Sequence, residues 1–416
     1  MNTINAKPFQ ISKQLVWEAW RQVKANAGTA GVDKESVKDF EANLKDNLYK
    51  LWNRMSSGSY MPPPVKGVAI PKKTGGQRML GVPCVVDRIA QTVVKLTLEP
   101  ILEKIFLPDS YGYRPNKSAH DAISVTRRRC WHYDWVLEFD IKGLFDNIRH
   151  DLLMKAVQRH TQCGWVLLYI ERWLVAPMVM PDGTLKVRDK GTPQGGVVSP
   201  ILSNLFLHYV FDKWMEINHK ANPWCRYADD GLVHCRTYSE AQTLLELIDR
   251  RFKECGLEIH PEKTKIVYCK DESRKEDYPI NEFTFLGYTF CRRTAKNQYT
   301  QEMFNSFLPA VSKKALKAMR QEIRLRWKLH LRSDLSLEEL AEKYNPVIRG
   351  WIQYYGKFYK TELIGLANYI NMRLVKWARR KYLSLKIHKQ SAYDWLVRVY
   401  NANPTLFEYW KLFKVC

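Results

Sequence analysis

Cys225-Arg226-Tyr227-Ala228-Asp229-Asp230-Gly231-Leu232-Val233 sets two adjacent carboxylates between two short runs of strand-forming residues. The stretch reads as a β-hairpin with Asp229 and Asp230 near its tip. Side chains alternate along a strand, so neighbouring aspartates share a face only where a turn brings them together. Two ionised carboxylates so placed repel each other, and a divalent cation between them relieves that repulsion. Taken alone, an Asp-Asp turn is more often a solvated turn, because aspartate is a common turn residue.

A second strand changes the balance. In Trp135-Val136-Leu137-Glu138-Phe139-Asp140-Ile141, alternation puts Leu137, Phe139 and Ile141 on one face and Asp140 on the other, away from the core. Three carboxylates from two strands meet the needs of a site with two Mg²⁺ ions, in which an attacking hydroxyl is activated and a leaving oxygen stabilised. Magnesium takes oxygen ligands and is commonly held by one or two carboxylates together with substrate phosphates. The chemistry that suits such a site is phosphoryl transfer, of which nucleotidyl transfer is one form.

Bulk properties agree. The 416 residues are enough for two or three domains, and 45% hydrophobic residues is an ordinary globular composition. No apolar run is long enough to span a bilayer, and the first residues lack a secretory core, so no membrane partner is expected. Nine scattered cysteines form no Cys-x-x-Cys pair. They predict reduced thiols in a cytosolic protein rather than zinc or disulfides. The formal charge of +23 calls for a polyanion, and nucleic acid is the natural one. The charge is concentrated at the end: residues 291–416 hold 25 Lys/Arg against 9 Asp/Glu.

The Tyr-Ala-Asp-Asp box resembles the catalytic motif of reverse transcriptases, specifically those encoded by bacterial group II introns. Ile70–Arg78, Ser110–Asn116, Phe139–Asp146, Gly191–Gly196 and Phe285–Tyr288 resemble the successive blocks of that family, in the family's order. The resemblance implies an α+β right-hand polymerase, with fingers and palm of antiparallel sheet backed by helices, followed by an all-helical thumb. It divides the chain into an N-terminal helical extension (1–56), fingers (57–135), palm (136–305) and a thumb or maturase domain with a basic tail (306–416).

It also implies roles. Asp140, Asp229 and Asp230, with Ile141 beside them, would hold the two Mg²⁺ ions. Lys72 and Arg78 would bind the triphosphate, Gln194 the incoming nucleotide, and Lys263 would lie near the triphosphate. Phe145, five positions after Asp140, would act as a steric gate against a ribose 2′-hydroxyl. Arg114 would contact a phosphate near the template. Each has a plainer reading as a basic hairpin tip, a core phenylalanine or a surface lysine.

Hydrophobic periodicity predicts helices over 8–25, with Leu15, Ala19 and Val23 on one side, and over about 34–55, capped at Asp33. Strands are expected at 65–71 and 77–82, and helices at 87–105, 150–160, 165–174, from 199 onward and at 239–255. The order of strand, helix pair, catalytic hairpin, helix and strand fits a sheet backed by helices. Asp182-Gly183 predicts a hairpin turn. From Leu308 the chain turns helical. Lys313, Lys317, Arg320, Arg324 and Lys328 are spaced to form one continuous basic stripe beside Leu316, Met319, Ile323 and Trp327, a helix able to track a phosphate backbone. Ile348–Gly356 resembles the family's maturase thumb. No Cys- and His-rich endonuclease and no ribonuclease H segment is expected.

The expected partners are an RNA template with a DNA or RNA primer, dNTPs, and a structured group II intron RNA. Two functions follow from the resemblance: copying RNA into DNA, and clamping the parent intron RNA to assist splicing and mobility. A domesticated reverse transcriptase with a host role such as phage defence is the alternative.

Overall fold

A computed structural model describes residues 7–71, 76–297 and 299–415. The chain divides into two compact units, one of residues 1–122 and 137–266, the other of 123–136 and 267–416.

The first unit opens with helix α1 (Lys13–Asn26), capped by the Ser12 hydroxyl, with Val16, Ala19, Trp20 and Val23 buried. Ser12 stops the helix well short of residue 8. The second helix is two: α2 (Val37–Ala42) and α3 (Leu44–Ser56), broken at Asn43. Their cap is not Asp33 but Ser36, which forms a reciprocal capping box with Asp39. The connection before them is held by Arg88, whose guanidinium donates to the carbonyls of Ala27 (3.1 Å), Thr29 and Pro83 (3.1 Å).

Strands β1 (Val65–Pro71) and β2 (Gln77–Val82) pair antiparallel, Ile70 opposite Arg78. Helix α4 (Val85–Leu102) packs on α1, and α5 (Ala119–Cys130) begins in the first unit and continues in the second. Strand β3 (Trp135–Asp140) leads through the short helix α6 (Leu144–Asn147) to α7 (His150–Gln158) and α8 (Gly164–Val175). The Asp182-Gly183 turn does join two strands, β4 (Met178–Val179) and β5 (Leu185–Lys186). Val65 of β1 pairs in parallel with Met178 of β4, giving a sheet ordered β2-β1-β4-β5.

Helix α9 (Ser199–Leu207) widens into a π-helical segment over His208–Asp212 and continues as α10 (Lys213–Asn218). Strands β6 (Trp224–Tyr227) and β7 (Asp230–Cys235) form the expected hairpin, and α11 (Tyr238–Glu254) and β8 (Lys265–Tyr268) follow. The sheet order is β6-β7-β3-β8, so the hairpin lies directly beside the strand that carries Asp140.

The second unit contains an antiparallel sheet, β11-β10-β9, of β9 (Phe283–Phe285), β10 (Tyr288–Lys296) and β11 (Met303–Val311). Helices α12 (Lys313–Glu322), α13 (Leu337–Tyr355), α14 (Ile364–Lys381) and α15 (Lys389–Ala402) complete it. Its core includes the Trp327 ring stacked on Tyr344 and Trp351, at centroid distances of 4.3 and 5.4 Å. The Phe285–Tyr288 and Ile348–Gly356 blocks meet here: Tyr354 donates to the Leu286 carbonyl at 2.8 Å, and the Tyr288 hydroxyl donates to the Tyr354 carbonyl.

The basic stripe is not one helical face. Lys313, Lys317 and Arg320 lie on α12, but Ile323–Trp327 is π-helical, which shifts the phase at Arg324. Lys328 ends the segment in a left-handed conformation (φ 45°). All five side chains are exposed, and Met319, Ile323 and Trp327 are buried as the spacing requires.

Candidate active site

The hairpin joins Tyr227 directly opposite Asp230, so its turn is Ala228-Asp229. Ala228 adopts φ 57°, the left-handed conformation that such a tight turn demands. Asp229 therefore sits in the turn and Asp230 opens β7, which resolves how adjacent aspartates serve one place. On β3, Asp140 is one strand away. The backbone ties the three together: Ile141 N–H donates to the Asp229 carbonyl (3.4 Å) and His260 N–H to the Asp140 carbonyl (2.8 Å).

Two glycines permit the close approach. A Cβ on Gly231 would lie 2.1 Å from the Phe139 ring, so β7 can pass over β3 only as glycine at this point. A Cβ on Gly112 would meet the Ala228 nitrogen at 2.4 Å, and this glycine lets the Ser110–Asn116 loop lie against the turn.

Behind the turn, Arg226 is fully buried. Its guanidinium makes a bidentate pair with Asp212 (2.7 and 2.6 Å) and donates to Asn204 (3.1 Å), Ser110 (2.8 Å) and the Ala228 carbonyl (3.1 Å). The sequence carried a signal for this, an arginine among apolar residues beside the carboxylates, but Asp212 and Asn204 stand on a distant helical stretch and Ser110 in a distant loop.

Burial pushes the Asp230 carboxyl up to about 7, reinforced by Asp229, Asp140 and Glu138, and it shares a hydrogen bond with Asp140. Asp229 is also raised, first by burial and then by Asp140, with Arg78 and Lys263 pulling it down. Lys263 donates to Asp140 at 2.9 Å. Among the described residues no three His, Cys, Asp or Glu side chains form a ready cage for a metal. The three aspartates nevertheless suit a divalent cation: they are hard oxygen donors crowded into one place, and an ammonium group already sits on one of them.

Phe145 and Gln194 line the same pocket of about 250 Å³, together with Met79, Asp146 and Arg188. The Gly191–Gly196 loop is fixed to its neighbours by Thr192 N–H on the Phe145 carbonyl (2.7 Å) and Gly81 N–H on the Gln194 carbonyl (2.7 Å). The Gln91 side chain accepts from the Val197 and Val198 N–H groups (2.7 and 3.3 Å) and donates to buried Asp87 (2.9 Å). Arg78 stands exposed on β2 near enough to influence Asp229. Lys72 lies outside the described residues.

Arg114 is a correction. Its side chain is 6% exposed, pairs with Glu103 at 2.8 Å and donates to the Leu107 and Ser110 carbonyls (2.7 and 2.9 Å). With every donor turned inward it braces its own loop rather than presenting itself to a phosphate. Tyr113, also in that loop, is the exposed member; burial and then Asp229 raise its hydroxyl.

A hairpin sheet, a second sheet whose two central strands bring three carboxylates together, and a helical C-terminal part are the elements of a reverse transcriptase fold. Residues 70–290 match the reverse transcriptase (RNA-dependent DNA polymerase) family, to which the chain belongs, and residues 316–395 match the group II intron maturase-specific domain. Protein YkfC of Escherichia coli is 28% identical over 75% of this chain and 87% of its own length. The group II intron-encoded protein LtrA of Lactococcus lactis is 28% identical over 64% of this chain, and a putative COX1/OXI3 intron 1 protein of Saccharomyces cerevisiae 32% over 48%. The chain matches 43% of LtrA and 24% of the yeast protein. No helix among the described residues is long and apolar enough to cross a membrane.

Proposed function

We propose that this protein extends a primer with deoxynucleotides along an RNA template and also binds a group II intron RNA to assist its splicing and mobility. The observation that carries the polymerase reading is the meeting of Asp229 and Asp230, at the β6–β7 turn, with Asp140 on the adjacent strand. Asp140, Asp229 and Asp230, with the Ile141 backbone beside them, would hold divalent metal. Two bound Mg²⁺ ions would make the primer 3′-hydroxyl a better nucleophile and stabilise the leaving pyrophosphate. The chain's own residues supply the positioning. Arg78 and Lys72 meet the triphosphate, Lys263 moves from Asp140 toward the phosphates, Gln194 orients the nucleotide, and Phe145 crowds a 2′-hydroxyl. Electrostatic preorganisation and in-line placement carry most of the rate in such transfers.

The intron role rests on the maturase-specific match and on the exposed cations of α12 and the residues after it. These observations favour an intron partner over a domesticated host role. Primer extension by Asp229→Asn is the direct test: extension abolished with RNA binding intact supports the site, and retained extension overturns it. Sequencing RNA that co-purifies with the protein tests the second half, with enrichment of one long structured RNA as the expected result.

A further inference from the structure

The first unit has a second basic concavity, none of whose lining residues belongs to the polymerase site. It is an open groove of about 460 Å³ between α7 and α11. Leu152, Lys155, Ala156 and Arg159 recur at the spacing of one helical face and form one wall. Arg251 and Glu254 stand on the opposite wall, and Tyr209 of the π-helical segment lies between them.

The charges here are unequal in their freedom. Arg149, at one end, is bidentate on Asp151 at 3.1 and 2.6 Å. Arg251 donates to the Val210 and Tyr209 carbonyls, both at 3.2 Å, and so holds the widened helical turn in place. The side chains of Lys155 and Arg159 are exposed and make no hydrogen bond or ion pair among the described residues. The Tyr209 hydroxyl is fixed to His160 Nε2 at 2.6 Å, so its half-buried ring is held in orientation at the groove floor.

Of the four lining cations, Arg149 is paired with Asp151 and Arg251 has Glu254 at 3.6 Å, which leaves Lys155 and Arg159 as the two that an anion would satisfy. The anion is identified by what accompanies the charge. An oriented aromatic ring beside Leu152 and Ala156 gives a flat apolar surface, and cations flanking such a ring are the elements that hold a nucleotide by its base and its phosphates. The volume is within the range that takes a nucleotide-sized ligand. An acidic peptide would use the cations and leave the ring idle. We infer that this groove is a separate RNA-binding subsite, taking one nucleotide of a single-stranded segment with its flanking phosphates on Lys155 and Arg159 and its base against Tyr209. The inference rests on the reading of the chain as a protein that handles RNA, but not on the polymerase chemistry.

The test is the full-length double variant Lys155→Glu/Arg159→Glu. It is read by equilibrium binding to oligo(U) across a salt series and by extension of a primer on a short template. Arg250→Glu/Lys253→Glu, two exposed α11 cations outside the groove lining, makes the same change of charge and serves as the control. The expected result is oligo(U) binding weakened about tenfold or more, with the slope of log affinity against log salt reduced by about 1.4, two phosphates at about 0.7 each. Extension on the short duplex should match wild type. Affinity and slope no different from Arg250→Glu/Lys253→Glu would overturn the subsite. A parallel fall in extension would also overturn it, since the cations would then serve the catalytic cleft. If the double variant melts early, Lys155→Gln/Arg159→Gln is read the same way. A wild-type protein that fails to extend any primer removes the polymerase reading, while the salt series still decides the groove.

Discussion

Arg226 and Asp212 form a bidentate ion pair, both side chains 0% exposed, and the same guanidinium reaches the carbonyl of Ala228 in the β6–β7 turn. Removing one partner strands a buried charge, which costs about 3–5 kcal/mol, whereas replacing both by apolar residues is often near neutral. Asp212→Ala should therefore destabilise the fold strongly in urea denaturation, and Arg226→Met/Asp212→Leu should recover most of the loss. The double variant should still extend primers poorly, because nothing then holds the Ala228 carbonyl. Wild-type extension by the double variant would show that the pair serves stability alone.

Gly231→Ala places a Cβ in the Phe139 ring. Overpacking of this kind costs about 1–3 kcal/mol and here would push the hairpin off β3. Thermal melting should show the loss, and Phe139→Leu should restore stability to the alanine variant. An unrescued double variant would mean that the backbone at residue 231, and not the ring, is what excludes a side chain.

Asp230, raised to about 7, sets a pH dependence. A carboxyl with a raised pKa favours the protonated folded state, so its contribution is full below about pH 4 and is lost as pH rises through 7. Metal-free protein should lose stability between pH 6 and 8, and Asp230→Asn should be more stable than wild type at pH 8 by on the order of 2 kcal/mol. Since Mg²⁺ must displace the proton, it should raise the melting temperature more at pH 8 than at pH 6. Equal Mg²⁺ effects at both values would remove Asp230 from the metal site.

Phe145→Val should widen the pocket that Phe145 shares with Gln194. Discrimination by one steric contact is worth roughly 10–200-fold, so ribonucleotide incorporation relative to deoxynucleotide should rise by about that range in single-nucleotide extension. An unchanged ratio would leave Phe145 as a packing residue.

Several elements were legible because their causes are local. The β6–β7 hairpin, the β1–β2 pair and the Asp182-Gly183 turn follow from alternation and turn residues, and the buried side of α12 follows from its spacing. The errors are local as well. Ser36 outcompetes Asp33 as a cap because Asp39 stands at the reciprocal position, and the break at Asn43 divides what periodicity reads as one helix. The π-helical turn at Ile323–Trp327 adds a residue to its turn, which hydrophobic spacing does not register.

The sequence by itself determined that two aspartates stand at a hairpin tip and a third on a strand, that a basic helical part follows them, and that the blocks come in a polymerase's order. Backbone geometry over a few residues dictates each of these. Only the tertiary structure decided that Arg114 faces Glu103, that Arg226 braces the β6–β7 turn from behind, and that Lys155, Arg159 and Tyr209 share a groove. A charged side chain reads the same in sequence whether it ends in water, on a buried carboxylate or against a ligand. The choice among these depends on desolvation and on partners supplied by distant segments, and it is made only when the chain packs.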